Sequence, residues 1–285
     1  MKFRNALFLV ALVPVTSLAV VPGVDDTSTK YFGYVGQFGG ASAVAVGSNV
    51  FLTAKHVGGT IGSIFTLPAF SESFIVTGRY NDPDADFSVL SVAGTLPGYY
   101  SITTQNVVSN NAQITMVGYG PTGTTNGAGN GYTITGGSGI RHYGENTVDL
   151  DQTLNLSSAE GFNPPSPAST SLVSILKNIG DSALTGGDSG GGWFYDDHGV
   201  QRLVGINSFV GTAGDGVNYQ LPKYDVHGNL TGYFASGAVE LRDYVPFLEA
   251  HGVPAPVPEP STWAGLAMGM GFCLSRVSRR RRTIA

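Results

Sequence analysis

Apolar runs of four or five residues recur along the chain, bounded by clusters of Gly, Pro, Asn and Ser. Ala43-Val44-Ala45-Val46, Ser73-Phe74-Ile75-Val76, Gln113-Ile114-Thr115-Met116-Val117 and Arg202-Leu203-Val204-Gly205-Ile206 are examples. This pattern predicts short β-strands separated by turns. Only Val239 to Ala250 has helical spacing, with Leu241, Tyr244, Val245 and Leu248 on one face and Gly252 just past the end, which predicts a C-terminal helix over 239–250. Strands without interleaved helices predict barrels rather than βαβ units. A crossover at Leu96 to Asn111 divides the pattern into one barrel over about 31–105 and another over about 112–238. Two stretches predict solvated surface loops. Gly120 to Gly139 is rich in Gly, Thr and Asn, and Gly161 to Thr170 holds Pro164, Pro165 and Pro167.

The ends of the chain have a different character. Residues 1–19 begin with Lys2 and Arg4, continue with an apolar run from Ala6 to Val15 and close on Ser17-Leu18-Ala19. This is the layout of a signal peptide cut by signal peptidase after Ala19. At the other end, Val257-Pro258-Glu259-Pro260-Ser261-Thr262 precedes an apolar, glycine-rich run and the arginines Arg276 and Arg279 to Arg282. The tail, 253–285, resembles the PEP-CTERM sorting signal of exported proteins in biofilm-forming Gram-negative bacteria. The resemblance implies removal by a membrane exosortase, with transient membrane association through the short segment 263–275, and a secreted, cell-surface or extracellular-matrix destination. A spanning helix needs about twenty apolar residues, so the run is short, and the arginines would hold its end on the cytoplasmic side. A permanent anchor is the alternative reading.

Processing changes the charge. Removing the two ends takes away seven basic residues and one acidic residue, leaving residues 20–258 with 8 basic and 19 acidic side chains, a net charge near −11. That balance excludes nucleic acid as a natural partner. The only cysteine, Cys273, lies in the tail, so the predicted catalytic domain has no disulfide and depends on its core, for which more than two hundred residues suffice.

Three separated elements carry the chemistry. Leu52-Thr53-Ala54-Lys55-His56, Asp86-Phe87-Ser88-Val89-Leu90 and Gly187-Asp188-Ser189-Gly190-Gly191 supply a histidine, an aspartate and a serine in that order. Each alone is ambiguous. A Gly-rich run can be a plain loop, a histidine after an apolar run is commonly structural, and Asp86 has Asp82 and Asp84 beside it in a turn. Together they form a set with a chemical rationale. A serine hydroxyl needs a neutral imidazole to take its proton, and the imidazole needs a carboxylate to fix its tautomer and stabilise its charged form. The flanking glycines let backbone N–H groups converge on an oxyanion, and Gly187 and Ser189 are the candidate donors.

These motifs resemble those of the chymotrypsin-like (trypsin-fold) serine proteases over roughly residues 38–250. The histidine element is similar to that family's Thr-Ala-Ala-His, the aspartate element to Asp-Ile-Ala-Leu-Leu, and Gly187 to Gly191 to its serine motif. Met116-Val117-Gly118-Tyr119-Gly120 and Leu203 to Phe209 are weaker echoes. The resemblance implies an all-β fold of two six-stranded antiparallel barrels with a C-terminal helix, and a serine endopeptidase acting on protein or peptide substrates without a cofactor. It makes His56 the general base, Asp86 the orienting carboxylate and Ser189 the nucleophile, with Gly187 and Ser189 as the oxyanion hole. Departures are Gly192, where the family usually has proline, and Val57, where many members have cysteine.

The same resemblance implies that Asp188 forms an ion pair with a freshly cut N-terminal amine. Cleavage after Ala19 would expose Val20-Val21-Pro22-Gly23 at a suitable distance before His56. Substrate-binding positions carried over are Ala183, Ser208, Phe209 and Val210, and Val210 in place of a glycine favours small residues in the pocket. Asp181-Ser182 resembles a trypsin-type pocket floor but lies two residues too far from Ser189.

Two other function classes stay open at this point. Gly-Asp-Ser-Gly-Gly also fits the nucleophile elbow of an α/β-hydrolase esterase, with Asp225, His227 and His251 available downstream. The second alternative is a catalytically inactive protease-fold protein of the extracellular matrix or cell surface, although this chain keeps every triad member. His142, His198, His227 and His251 are scattered without metal-ligand spacing, so no metal site is expected.

Overall fold

The structure, a computed structural model of the chain, describes residues 18–108, 111–125, 131–156, 166–213, 219–220, 223–224, 230–231 and 233–256. The predicted signal peptide, apart from Leu18 and Ala19, and the sorting tail beyond residue 256 lie outside these residues, as do Asp225 and His227. Among the described residues no helix is long and apolar enough to cross a membrane.

Strands β1 (Leu18–Ala19) and β2 (Val24–Asp25) precede the first barrel. That barrel consists of β3 (Val35–Phe38), β4 (Ala41–Ala45), β5 (Val50–Thr53), β6 (Ile64–Leu67), β7 (Glu72–Asn81) and β8 (Ser88–Val92). They close in the order β3-β4-β5-β8-β7-β6, every pair antiparallel. All four residues of β5 are buried because its two faces meet two cores. Phe51 packs inside the barrel with Phe38, Phe65 and Leu90, while Val50 and Leu52 face the second half of the molecule. The period-2 alternation of a strand therefore reads as a continuous apolar run.

The second half contains β9 (Gln113–Gly118), β10 (Thr122–Thr125), β11 (Tyr132–Ile134), β12 (His142–Thr147), β13 (Leu150–Leu156), β14 (Ser166–Ile175) and β15 (Gly192–Asp197). It continues with β16 (Val200–Ala213), β17 (Tyr219–Gln220), β18 (Lys223–Tyr224), β19 (Leu230–Thr231) and β20 (Tyr233–Glu240). The main hydrogen-bonded path runs β13-β14-β20-β16-β15-β9-β12-β2, again all antiparallel. Its ring is not closed by a ladder, as the first barrel is. The N–H of Val148 donates to Ala112 O next to β9, and the N–H of the following Asp149 donates to Val173 O on β14. One bent strand thus changes partners between two residues, and six segments come round to a ring through the chain itself. Met116, Val148, Leu172, Trp193, Val204 and Ala238 fill it.

Three expectations are corrected. The C-terminal helix begins later than Val239, because Val239 and Glu240 still pair with Ile206 and Gly205. A 3-10 turn follows over Leu241–Tyr244 and then the helix proper, α1 (Val245–Ala250), with Pro246 in its first turn. The stretch 120–139 is partly structured, since β10 and β11 form a hairpin that also receives β1. Likewise β14 already starts at Ser166, inside the stretch expected to be a loop. The esterase alternative is overturned as well, since an α/β-hydrolase requires a parallel sheet wrapped by helices and these pairings are antiparallel.

A third core, including Phe32, Leu52, Phe87, Tyr100, Phe194, Leu203, Ile206 and Leu248, joins the halves. Helix α1 and the 3-10 turn before it follow the second half in sequence but pack on the first, with Tyr244 and Phe247 edge-on to Phe87 at ring distances of 5.2 and 5.6 Å. The N-terminal segment is tied to the second half. Val20 and Val21 are fully buried, Val21 exchanges two backbone hydrogen bonds with Ala183, and buried Arg141 pairs with buried Asp26 at 2.8 Å.

Candidate active site

His56 comes from the rim of the first barrel. After β5 the chain turns through Ala54 into a single 3-10 turn, Lys55–Val57. Asp86 arrives on the approach to β8, and the structure separates it from its acidic neighbours. Asp82 folds back on its own turn, accepting the N–H groups of Asp84 and Ala85 at 2.9 Å, Asp84 is exposed, and Asp86 is fully buried. Burial pushes the Asp82 carboxyl up despite those two hydrogen bonds.

Ser189 lies on a tight loop of the second half whose glycines are required. Gly187 has φ +98 and Gly190 φ +82, a region that L side chains avoid. A Cβ on Gly190 would also lie 2.2 Å from both Ser42 O and Thr53 Oγ1. The loop is pinned to both halves. Ser42 donates its N–H to Ser189 O at 2.9 Å and its hydroxyl to Gly187 O at 3.0 Å, while Asn207 Nδ2 donates to Asp188 O and Val117 O, both at 2.9 Å. Among the described residues no protein acceptor takes the N–H of Gly187 or of Ser189.

The three side chains meet at the junction. His56 Nδ1 is 2.7 Å from Asp86 Oδ2, His56 Nε2 is 2.9 Å from Ser189 Oγ, and the backbone N–H of His56 donates to Asp86 Oδ1 at 3.0 Å. A fourth group completes the line. Between Asn207 and Phe209 the β16–β20 register slips by one residue, and this bulge frees Ser208 to donate its hydroxyl to Asp86 Oδ2 at 2.5 Å. The histidine keeps 23% of its side-chain surface exposed whereas the aspartate has none, so the relay runs from the protein interior to solvent.

Among solved structures, the chain is similar to the Rv3671c protease from M. tuberculosis in its active form, with TM-score 0.52 and 16% identity over 90% of this chain and 97% of that one. The chain has the trypsin-like serine protease fold. The HtrA-type protease AlgW, solved with a decapeptide, is similar at TM-score 0.46 and 16% identity over 74% of this chain and 51% of that one. No protein-family model and no curated sequence matches the chain.

Within the trypsin-like fold, Asp188 sits behind the serine loop. It is fully buried and accepts hydrogen bonds from Gly120 N–H at 2.8 Å, Thr185 N–H at 2.8 Å and the Thr185 hydroxyl at 3.0 Å. Among the described residues it has no ionic partner, and burial lifts its carboxyl from 3.8 to about 6 against those bonds. Val20 does not present an amine here, since the chain continues backwards into β1. Its side chain packs in the second core beside Leu184.

Three of the four expected substrate positions, Ala183, Ser208 and Phe209, are buried. Ser208 is turned inward onto Asp86. Phe209 is buried against Val173 and Ala235, with its ring over Gly237. Ala183 is buried with Leu176 and Phe234, and Val210 packs against that group. Asp181 caps its own turn, accepting from Lys177 and Asn178. Among the described residues no group of His, Cys, Asp and Glu is clustered to hold a metal ion. The sequence reading missed Ser42 and Asn207. Asn207 had a signal, a polar Asn-Ser pair interrupting the apolar strand from Leu203 to Phe209, whereas Ser42 had none.

Proposed function

We propose that the chain is an exported serine endopeptidase acting through an acyl-enzyme. The observation that carries this reading is the continuous relay Ser208–Asp86–His56–Ser189, with separations of 2.5, 2.7 and 2.9 Å. The fold shared with the Rv3671c protease supports it. Ser189 Oγ attacks the scissile carbonyl carbon while His56 Nε2 takes its proton, and the buried Asp86 carboxylate stabilises the imidazolium without taking that proton. The oxyanion forms where the N–H groups of Gly187 and Ser189 converge. His56 then gives its proton to the leaving amine, and a water activated by the same imidazole releases the acyl group and restores Ser189.

The reading extends to specificity and activation. Ala183 and Val210 are the pocket positions carried over by the resemblance, and their close packing with Leu176 and Phe234 would leave room only for a small residue before the cleaved bond. Cleavage after Ala19 would place a new ammonium between Thr122, the partner of Ala19, and Ala183, the partner of Val21. Those residues flank Gly120 and Thr185, the donors that hold Asp188, so the amine would enter the crevice of that carboxylate. Export by signal peptidase and sorting by an exosortase complete the proposal.

Fluorophosphonate labelling of the protein beside Ser189→Ala and His56→Ala tests it, with the modified residue mapped by mass spectrometry and cleavage of an unstructured protein followed in parallel. Labelling at Ser189 that depends on His56, together with peptide-bond cleavage, is the expected result. No labelling would favour the inactive matrix or surface protein.

A further inference from the structure

The turn that carries His56 has little intrinsic rigidity. Its 3-10 helix has three residues and no side-chain cap, and it runs into Gly58 and Gly59, both at positive φ. Two such glycines in succession leave a large conformational freedom to be restrained. No disulfide restrains it, since the chain's one cysteine is Cys273. Besides the Asp86 carboxylate and the Lys55 ammonium, which bonds Asp82 O, one side chain holds three of its carbonyls. Arg79, on β7, donates from Nη1 to Gly58 O and to Gly59 O, the latter at 2.6 Å, and from Nη2 to Lys55 O at 2.8 Å.

The other side of the guanidinium is anchored as well. Nη2 donates to Ser88 Oγ at 3.1 Å and Nε to Asn81 Oδ1 at 2.9 Å, and Ser88 Oγ donates to Asn81 Oδ1 at 2.7 Å. All five guanidinium N–H groups therefore have acceptors, none of them a carboxylate. Ser88 stands two residues after Asp86, so one planar group ties the histidine turn and the aspartate strand to a single barrel strand. Its positive charge is also attracted to Asp86.

We propose that Arg79 is a positioning residue that sets the His56–Asp86 geometry. This rests on the proposed proteolytic reading. A planar fork with five donors is what the site uses, and a lysine ammonium, with three donors from one point, reproduces only part of it. Misplacing a catalytic group by about 1 Å can cost about a hundredfold in rate.

The test compares the full chain with Arg79→Met and Arg79→Lys, reading kcat and KM on a peptide substrate and the downfield proton NMR signal of His56 Nδ1–H. Arg79→Met should lower kcat roughly tenfold to a hundredfold with KM nearly unchanged and should shift or broaden the Nδ1–H signal. Arg79→Lys should recover part of both. Wild-type kcat and an unchanged signal in Arg79→Met would overturn the proposal, as would a kcat loss matching only the unfolded fraction. If Arg79→Met does not fold, the double variant Asn81→Ala/Ser88→Ala removes the guanidinium's far-side anchors. It should show the same changes in weaker form, and unaltered values there would also overturn the proposal. Should the parent chain show no turnover, the proteolytic reading falls and the NMR comparison still decides the role of Arg79.

Discussion

Asp188→Asn is expected to remove a large part of the pH dependence of stability between about pH 4 and 6. The Asp188 carboxyl is fully buried with no cation beside it among the described residues, and burial moves it from 3.8 to about 6. Below pH 3.8 it is protonated in both the folded and unfolded chain and carries no penalty. As pH rises, the unfolded chain releases its proton first, so folding stability falls until the folded carboxyl ionises near pH 6, and the penalty is constant above that. The displacement amounts to about 3 kcal/mol, or about 6–12 °C in melting temperature for a domain of this size. An amide at 188 keeps one oxygen acceptor but turns its NH2 toward another donor, so the variant is expected to be less stable at low pH while losing this slope. Glu240, lifted by burial to about 7 although Arg242 pairs with it, titrates in an overlapping range, so Asp188's share is the difference between variant and parent. Thermal denaturation followed by circular dichroism from pH 4 to 8 measures it, and an unchanged slope in Asp188→Asn would refute the argument. A second arm compares chains beginning at Leu18 and at Val20. An ammonium beside Asp188 would hold it ionised and abolish the slope only in the shorter chain, so identical profiles would refute the activation reading.

Ser208→Ala removes a hydroxyl donor from a buried carboxylate, an interaction worth about 1.5–3 kcal/mol. Steady-state kinetics should show kcat/KM roughly tenfold to a hundredfold lower, with Ser189 still labelled, and parental kinetics would exclude Ser208 from the relay. Gly190→Ala places a methyl group against Ser42 O and Thr53 Oγ1 at positive φ and should lower stability by about 2 kcal/mol or more. Calorimetry would read this, and an unchanged melting temperature would show that the loop relaxes freely. Val210→Gly should shift preference toward larger residues before the cleaved bond on a chromogenic peptide panel. An unchanged preference would show that Val210 does not bound the pocket.

How much was legible depended on the range of the interaction involved. The strands around Ala43, Gln113 and Arg202 were visible because alternation and turn residues are local. The helix start was misplaced because Val239 fits the helical face as well as it fits the last pairs of β20, and only the partner strand β16 distinguishes them. The bend at Val148 and Asp149 was hidden for the same reason, since switching partners leaves no mark on either residue.

The sequence alone determined the chemistry: a histidine, an aspartate and a glycine-flanked serine in one order, on a strand-rich chain with no cysteine outside its tail. Residue type fixes what each group can donate, accept or attack with, and this needs no folded context. Tertiary structure decided which groups meet. Ser208 turns from a pocket wall into the donor to Asp86 because a bulge in β16 reverses its direction. Asp188 acquires a raised carboxyl because its complete burial outweighs the three donors that hold it, and Arg79 finds five acceptors because β7 and β8 run beside the histidine turn. Burial, bulges and hydrogen bonds between residues far apart in the chain are properties of packing, and no single segment contains them.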